Sequence, residues 1–116
     1  MHTVDRQLNN LRQLGGDDLL REVVGLFLST MPARLEAARM AAQARNWGEL
    51  ANALHSLRSA AGNLGALAVQ QSAQQLEDLI HAGRVAEVAS LLEQLERGLT
   101  EVLAYLRTQA GGGTCR

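Results

Sequence analysis

Residues 53–66 read Ala53-Leu54-His55-Ser56-Leu57-Arg58-Ser59-Ala60-Ala61-Gly62-Asn63-Leu64-Gly65-Ala66. At 3.6 residues per turn this stretch predicts a helix, because Leu54, Leu57 and Ala61 stack into one apolar stripe that Leu50 continues one turn earlier. His55 lies more than a quarter-turn from the centre of that stripe. We therefore expect its imidazole to lie outside the core and to face solvent.

Mostly small side chains surround the predicted position of His55. Residues three and four positions apart are neighbours on a helix surface, and Arg58 is the one charged side chain among them. A second protein can reach an imidazole in such surroundings and transfer an anion to it. We interpret the small neighbours as the rim of a docking surface, formed by Ala51, Asn52, Ser59 and Gly62.

The composition is typical of an all-α domain. The chain has 116 residues, which suffices for one domain with one core. Hydrophobic residues make up 47% and aromatic residues 3%, and strong helix formers dominate while no strand pattern appears. We place the domain at residues 1–109 and interpret the Gly-rich residues 110–116 as a flexible tail.

Charge and residue usage exclude several classes of function. The formal net charge of −1 provides no basic field for nucleic acid or an anionic membrane. No apolar run reaches the length of a membrane span or a signal peptide, so we expect a cytoplasmic protein. Cys115 is the only cysteine, and the scattered His2, His55 and His81 lack the spacing of a zinc site, so we expect no disulfide and no metal. His2 and His81 are expected to face solvent.

Hydrophobic periodicity predicts five helical segments, over residues 4–13, 17–44, 47–63, 66–82 and 85–108. Gly15-Gly16 end the first segment, and Asp17-Asp18 offer an N-cap for the second. Pro32 predicts a kink near Leu28 rather than a break. Asn46 is the expected N-cap of the third segment, and Gly65 and Gly83 the expected stops of the third and fourth.

Four long amphipathic helices joined by short loops predict an up-down-up-down antiparallel four-helix bundle with a short extra N-terminal helix. No sustained heptad seam is present, which favours a monomer.

The segment His55–Ala66 resembles the signature of histidine-containing phosphotransfer (HPt) domains of bacterial phosphorelays. The family pattern is His-x-Leu-Lys-Gly-x-Ala-x-x-Leu/Ile-Gly-Ala, and the chain matches it at His55, Leu57, Ala61, Leu64, Gly65 and Ala66. The resemblance continues in the aliphatic run around Phe27, in Asn-Trp-Gly-Glu at 46–49 and in Gln-Leu-Glu at 75–77.

The chain departs from the family pattern at two positions. Arg58 replaces the family's Lys and keeps its positive charge, with a planar fork suited to phosphate oxygens. Ser59 replaces a Gly beside the ring and is expected to narrow the set of partners that can dock.

The resemblance implies that His55 accepts a phosphoryl group from a receiver-domain aspartate and passes it to another receiver. The implied partners are receiver domains of a hybrid sensor kinase and of a response regulator. Arg58 would neutralise the phosphoryl group, and Glu77 would orient the ring by accepting a hydrogen bond from its non-reacting nitrogen. No cofactor is implied for this chain, because the receiver supplies Mg²⁺.

The residues themselves agree with this chemistry. A neutral imidazole is a nucleophile that is available near neutral pH, and phosphoryl transfer depends mainly on positioning and charge neutralisation. The sequence has no Gly-rich phosphate loop, so we expect a phosphoryl carrier without an ATP site rather than a kinase. The alternative, to which Ser59 gives some weight, is a helical adaptor that binds a signalling partner without phosphotransfer.

Overall fold

The structure is a computed structural model that describes residues 2–110, so the remainder of the predicted tail, including Cys115, lies outside the described residues. It contains four helices and one 3₁₀ turn: α1 (His2–Gln43), α2 (Trp47–Leu64), α3 (Leu67–His81), a 3₁₀ turn (Val85–Glu87) and α4 (Val88–Ala110). Between residues 2 and 110 there is no strand.

The first two predicted helices meet end to end in α1. Gly16 is the one residue inside α1 with non-helical dihedrals (φ 74°, ψ −167°), a conformation that glycine adopts without a Cβ penalty. The break is therefore where the two glycines predicted it, although no loop separates the two segments. The expected N-cap is not formed, since the side chain of Asp17 instead accepts a hydrogen bond from Arg12 Nε (3.0 Å) and that of Asp18 accepts one from Arg21 Nη2 (2.8 Å).

Pro32 does not break α1, as predicted, and the backbone keeps helical dihedrals on both sides of Pro32. Its ring leaves the carbonyl of Leu28 without the usual helical donor. Two residues before Leu28, the carbonyl of Leu26 accepts hydrogen bonds from the hydroxyls of both Ser29 and Thr30, at 3.0 and 2.8 Å. The bend near Leu28 stays a prediction.

The ends of α2 follow from two residues that the sequence singled out. Asn46 Oδ1 accepts a hydrogen bond from the Glu49 backbone N–H (3.2 Å), which is the N-cap arrangement. Gly65 adopts the left-handed conformation (φ 83°, ψ 15°) that ends a helix. Both predictions are confirmed, and α2 runs one residue beyond its predicted end.

The connection from α3 to α4 differs from the prediction. Gly83, with φ 74°, stops α3 as expected. The last helix was predicted from residue 85, yet residues 85–87 form a 3₁₀ turn and α4 begins at Val88. A tight i to i+3 turn at a helix start leaves the apolar periodicity nearly unchanged, so periodicity alone does not separate it from the helix.

The four helices form the predicted up-down-up-down bundle. α2 packs against α1 and α3, and α4 packs against the same two helices, so α2 and α4 lie on opposite corners. The core is almost entirely aliphatic and lies along the bundle axis. Its largest fully buried side chains are Met31, Leu50, Leu54, Leu57, Leu64, Leu76, Leu95, Leu99, Leu106 and Val24.

The segment before Gly16 packs on the end of the bundle where α2 turns into α3. Val4 and Leu8 are buried. Thr3 Oγ1 donates to the carbonyl of Gly65 (2.5 Å), and the hydroxyl of Tyr105 donates to Asp5. The extra N-terminal helix is therefore an integral part of the fold.

Among the described residues, no helix has the length and apolar character needed to cross a membrane.

Candidate functional site

His55 lies on the exposed face of α2, and its side chain is 70% exposed. Leu54, Leu57 and Ala61 are fully buried on the opposite face. The predicted helical phase is therefore confirmed, and the ring is accessible to a second protein.

Arg58 lies one turn after His55 and joins it to α3. Its Nη2 lies 2.9 Å from Nδ1 of His55, and its Nε–H donates to Oε1 of Glu77 over 3.3 Å. The side chain of Arg58 is 30% exposed and that of Glu77 only 10%. The guanidinium thus contacts both the imidazole and a nearly buried carboxylate.

Glu77 is not the solvated surface residue that a polar position on α3 would ordinarily be. It is the one charged residue among the buried residues of the described chain. The hydrogen bond expected between Glu77 and the ring is not formed, because Oε1 lies 3.9 Å from Nδ1 and each of the two atoms contacts the Arg58 guanidinium instead. Its ring-orienting role stays a prediction.

The predicted rim residues flank the ring on α2. Asn52 and Ser59 are exposed, whereas Ala51 and Gly62 are partly buried. Gly62 is covered by α3, since a Cβ built on it would lie 2.7 Å from Nε2 of Gln70. Their part in partner docking stays a prediction.

Gln70 is a neighbour of the site that the sequence analysis missed. A step of seven residues from His55 to Gly62 on α2 corresponds to a step of seven back from Glu77 to Gln70 on α3, as antiparallel helices require. Seven residues are about two helical turns, so Gln70 and Glu77 share one face. That spacing was visible in the sequence, whereas the register of α3 against α2 was not.

Neither of the other two histidines forms a hydrogen bond with the side chain of Arg58 or of Glu77. His81 is exposed, and its Nδ1–H donates to the backbone carbonyl of Glu77 (2.8 Å). His2 is exposed on the first turn of α1. Across residues 2–110, no three His, Cys, Asp or Glu side chains converge as a metal would require.

Comparisons with known proteins agree with the fold. The family model described as "Hpt domain" matches residues 22–105, which include His55, Arg58 and Glu77. The crystal structure of histidine-containing phosphotransfer protein B (HptB) from Pseudomonas aeruginosa PAO1 superposes with a TM-score of 0.86. It covers 92% of each chain at 24% sequence identity. No curated protein sequence gave a significant match.

The family match spans most of the chain, and the bundle carries its exposed histidine within the matched region. The chain therefore belongs to the Hpt domain family and functions in histidine phosphotransfer in phosphorelay signalling.

Proposed function

We propose that His55 is the phosphoacceptor, taking a phosphoryl group from the aspartate of one receiver domain and passing it to another. The observation that carries this proposal is the exposure of the His55 ring beside a guanidinium. Within residues 22–105, which match the family model, His55 and His81 are the two histidines. Arg58 lies 2.9 Å from the ring of His55, whereas the ring of His81 contacts a backbone carbonyl.

The outward nitrogen of His55 is the proposed nucleophile. Arg58 contacts Nδ1 of the ring, whereas none of residues 2–110 forms a hydrogen bond with Nε2. The Nε2 lone pair forms the N–P bond while the P–O bond to the receiver aspartate breaks, and the electron pair returns to the carboxylate oxygen. Arg58 is close enough to neutralise charge on the phosphoryl oxygens, and the receiver supplies Mg²⁺.

The proposed role is that of a phosphoryl carrier that has no ATP site. The carrier acts as a monomer in the cytoplasm and does not bind nucleic acid. The proposed partners are receiver domains of a hybrid sensor kinase and of a response regulator. Support comes from the exposed side chains of Asn52 and Ser59 beside His55, which leave room for a docked protein, and from the near-neutral net charge of −1.

A reconstituted relay tests this proposal. A labelled phospho-receiver is mixed with the chain, the labelled chain is isolated, and a second receiver is then added. We expect the label to move from the first receiver to the chain and on to the second, whereas ATP alone gives no label. Binding of both receivers without any label on the chain would overturn the proposal in favour of an adaptor.

A further inference from the structure

We propose that Arg58 holds the resting His55 in the tautomer that cannot attack, and that departure of Arg58 toward an incoming phosphoryl group switches the ring to the reactive tautomer. This inference rests on the proposed function of His55. It gives Arg58 a second role, as a positioning residue that acts on the ring before the reaction.

The geometry at Nδ1 defines the resting tautomer. A guanidinium has hydrogen-bond donors only, so Nδ1 of His55 must be the acceptor in its 2.9 Å contact with Arg58 Nη2. A neutral imidazole carries one proton, and that proton must then be on Nε2. Nε2 is the exposed nitrogen that a receiver can reach. Because it carries the proton, it has no lone pair available to attack phosphorus.

Glu77 is the group positioned to reverse this arrangement. Its Oε1 lies 3.9 Å from Nδ1, beyond hydrogen-bond distance but within reach of a small movement of the ring. Because the Glu77 side chain is only 10% exposed, water satisfies it poorly and it requires another donor when Arg58 leaves. Once it is protonated, Nδ1 of His55 becomes such a donor, 3.9 Å from Oε1.

The switch proceeds through solvent and keeps protons balanced. Arg58 turns from Glu77 to the phosphoryl oxygens, Nδ1 gains a proton from water, and Nε2 loses its proton to water. The ring, 70% exposed, is accessible to that water. Nε2 then attacks phosphorus, the bond to the aspartate oxygen breaks, and the proton on Nδ1 stays in its hydrogen bond with Glu77.

The tautomer is measured directly by ¹⁵N NMR of the isolated chain, with the resonances of His55 assigned from the His55→Gln spectrum. We expect unprotonated Nδ1 and protonated Nε2 in the wild type at a pH where the ring is neutral. Arg58→Met, whose side chain cannot donate, should reverse the two. A wild type with protonated Nδ1, or an Arg58→Met variant without reversal, would overturn the proposal.

A charge-free reactivity test separates the switch from phosphate neutralisation. Diethyl pyrocarbonate is an uncharged reagent that modifies unprotonated imidazole nitrogens, so at a pH where the ring is neutral its reaction does not depend on neutralisation of a phosphoryl group by Arg58. We expect Arg58→Met to raise the modification rate of His55 relative to His81 by about three- to tenfold, the effect of one hydrogen bond on the tautomer equilibrium. The same variant should slow transfer from a phospho-receiver.

Two control variants complete the design. Arg97→Met removes an exposed arginine on α4, the helix opposite α2, and should leave both rates unchanged. In Arg58→Met/Glu77→Met, two apolar side chains replace the ion pair, which keeps the interface packed while removing the acceptor for Nδ1–H. If His55 still reacts faster in this double variant, greater access to the ring rather than the tautomer explains the effect and the proposal fails.

The proposed function and this inference fail separately. If the tautomer measurements contradict the switch while the wild type still carries labelled phosphate on His55, only the switch is wrong. If no phosphate reaches His55, the proposed function is wrong whatever the tautomer.

Discussion

The Nε–H of Arg58 on α2 donates to Oε1 of Glu77 on α3 over 3.3 Å. The bond joins the helix that carries the exposed histidine to a neighbouring helix. It also provides a nearly buried carboxylate with its charged partner. The same guanidinium therefore contacts both the neighbouring helix and the histidine ring beside it.

Arg58→Met should lower the free energy of unfolding by about 1–3 kcal/mol, because Glu77 then remains buried without a charged donor. Arg58→Lys, which keeps a donor in place, should lose less than half of that. Urea denaturation measures both, with Arg97→Met as the exposed control at under about 0.5 kcal/mol. Equal stability of the wild type and Arg58→Met would show that Glu77 does not depend on this bond.

Leu57→Ala should lower the free energy of unfolding by about 2–5 kcal/mol, because Leu57 is fully buried and its truncation leaves a cavity. His55→Gln, on the exposed face of the same helix, should change it by under about 0.5 kcal/mol. Thermal unfolding of the two variants compares the two faces of α2. A larger loss for His55→Gln than for Leu57→Ala would contradict the helical phase.

A residue that has a Cβ loses about 1–2 kcal/mol when it adopts the left-handed conformation. Gly65→Ala should lower the free energy of unfolding by more than this amount. Gly65 has a φ of 83°, which disfavours any residue with a Cβ. A Cβ at this position would also lie only 2.6 Å from the carbonyl oxygen of Thr3. Gly48→Ala is the matched control, because its nearest contact is the Asn46 side chain at 3.9 Å and alanine favours a helix. Urea denaturation that ranks Gly48→Ala as the more damaging substitution would contradict the close packing of α1 on this turn.

The hydrogen bond from Tyr105 to Asp5 predicts a pH dependence. The pKa of Tyr105 is raised above its ordinary value of 10.0. The largest cause is this hydrogen bond, and desolvation and the negative charge of Asp5 contribute less. Because the pKa of Tyr105 is higher in the folded state than in the unfolded state, its hydrogen bond stabilises the fold fully below pH 10. This contribution to the free energy of unfolding is lost as the pH rises through the raised pKa. Tyr105→Phe should therefore be less stable than the wild type near neutral pH and lose less stability under strongly alkaline conditions. The midpoint of urea denaturation is measured as a function of pH for both proteins. If the two midpoints change by the same amount as the pH rises, the predicted role of the Tyr105 hydrogen bond is contradicted.

Much of the fold could be predicted because it depends on local chemistry. Asn46 as an N-cap and Gly65 as a left-handed stop are short-range effects, and the period of the leucines determines which face of α2 is buried. The 3₁₀ start before Val88 was missed because a tight turn keeps the same apolar period.

The candidate site was predictable only in part. The exposure of His55 followed from helical phase, whereas the position of Arg58 between His55 and Glu77 depends on how α3 is registered against α2. A single helix carries no information about that register. The sequence therefore predicted the exposed position of His55 but not which side chains contact its ring.

The most direct test of the central claim is the position of labelled phosphate on the chain after incubation with a phospho-receiver. We expect acid-labile label on His55, located by peptide mass spectrometry, with no label on His55→Gln and full label on His81→Gln. His55→Gln should keep the helical content of the wild type, which excludes unfolding as the cause. Full labelling of a folded His55→Gln variant would contradict the account.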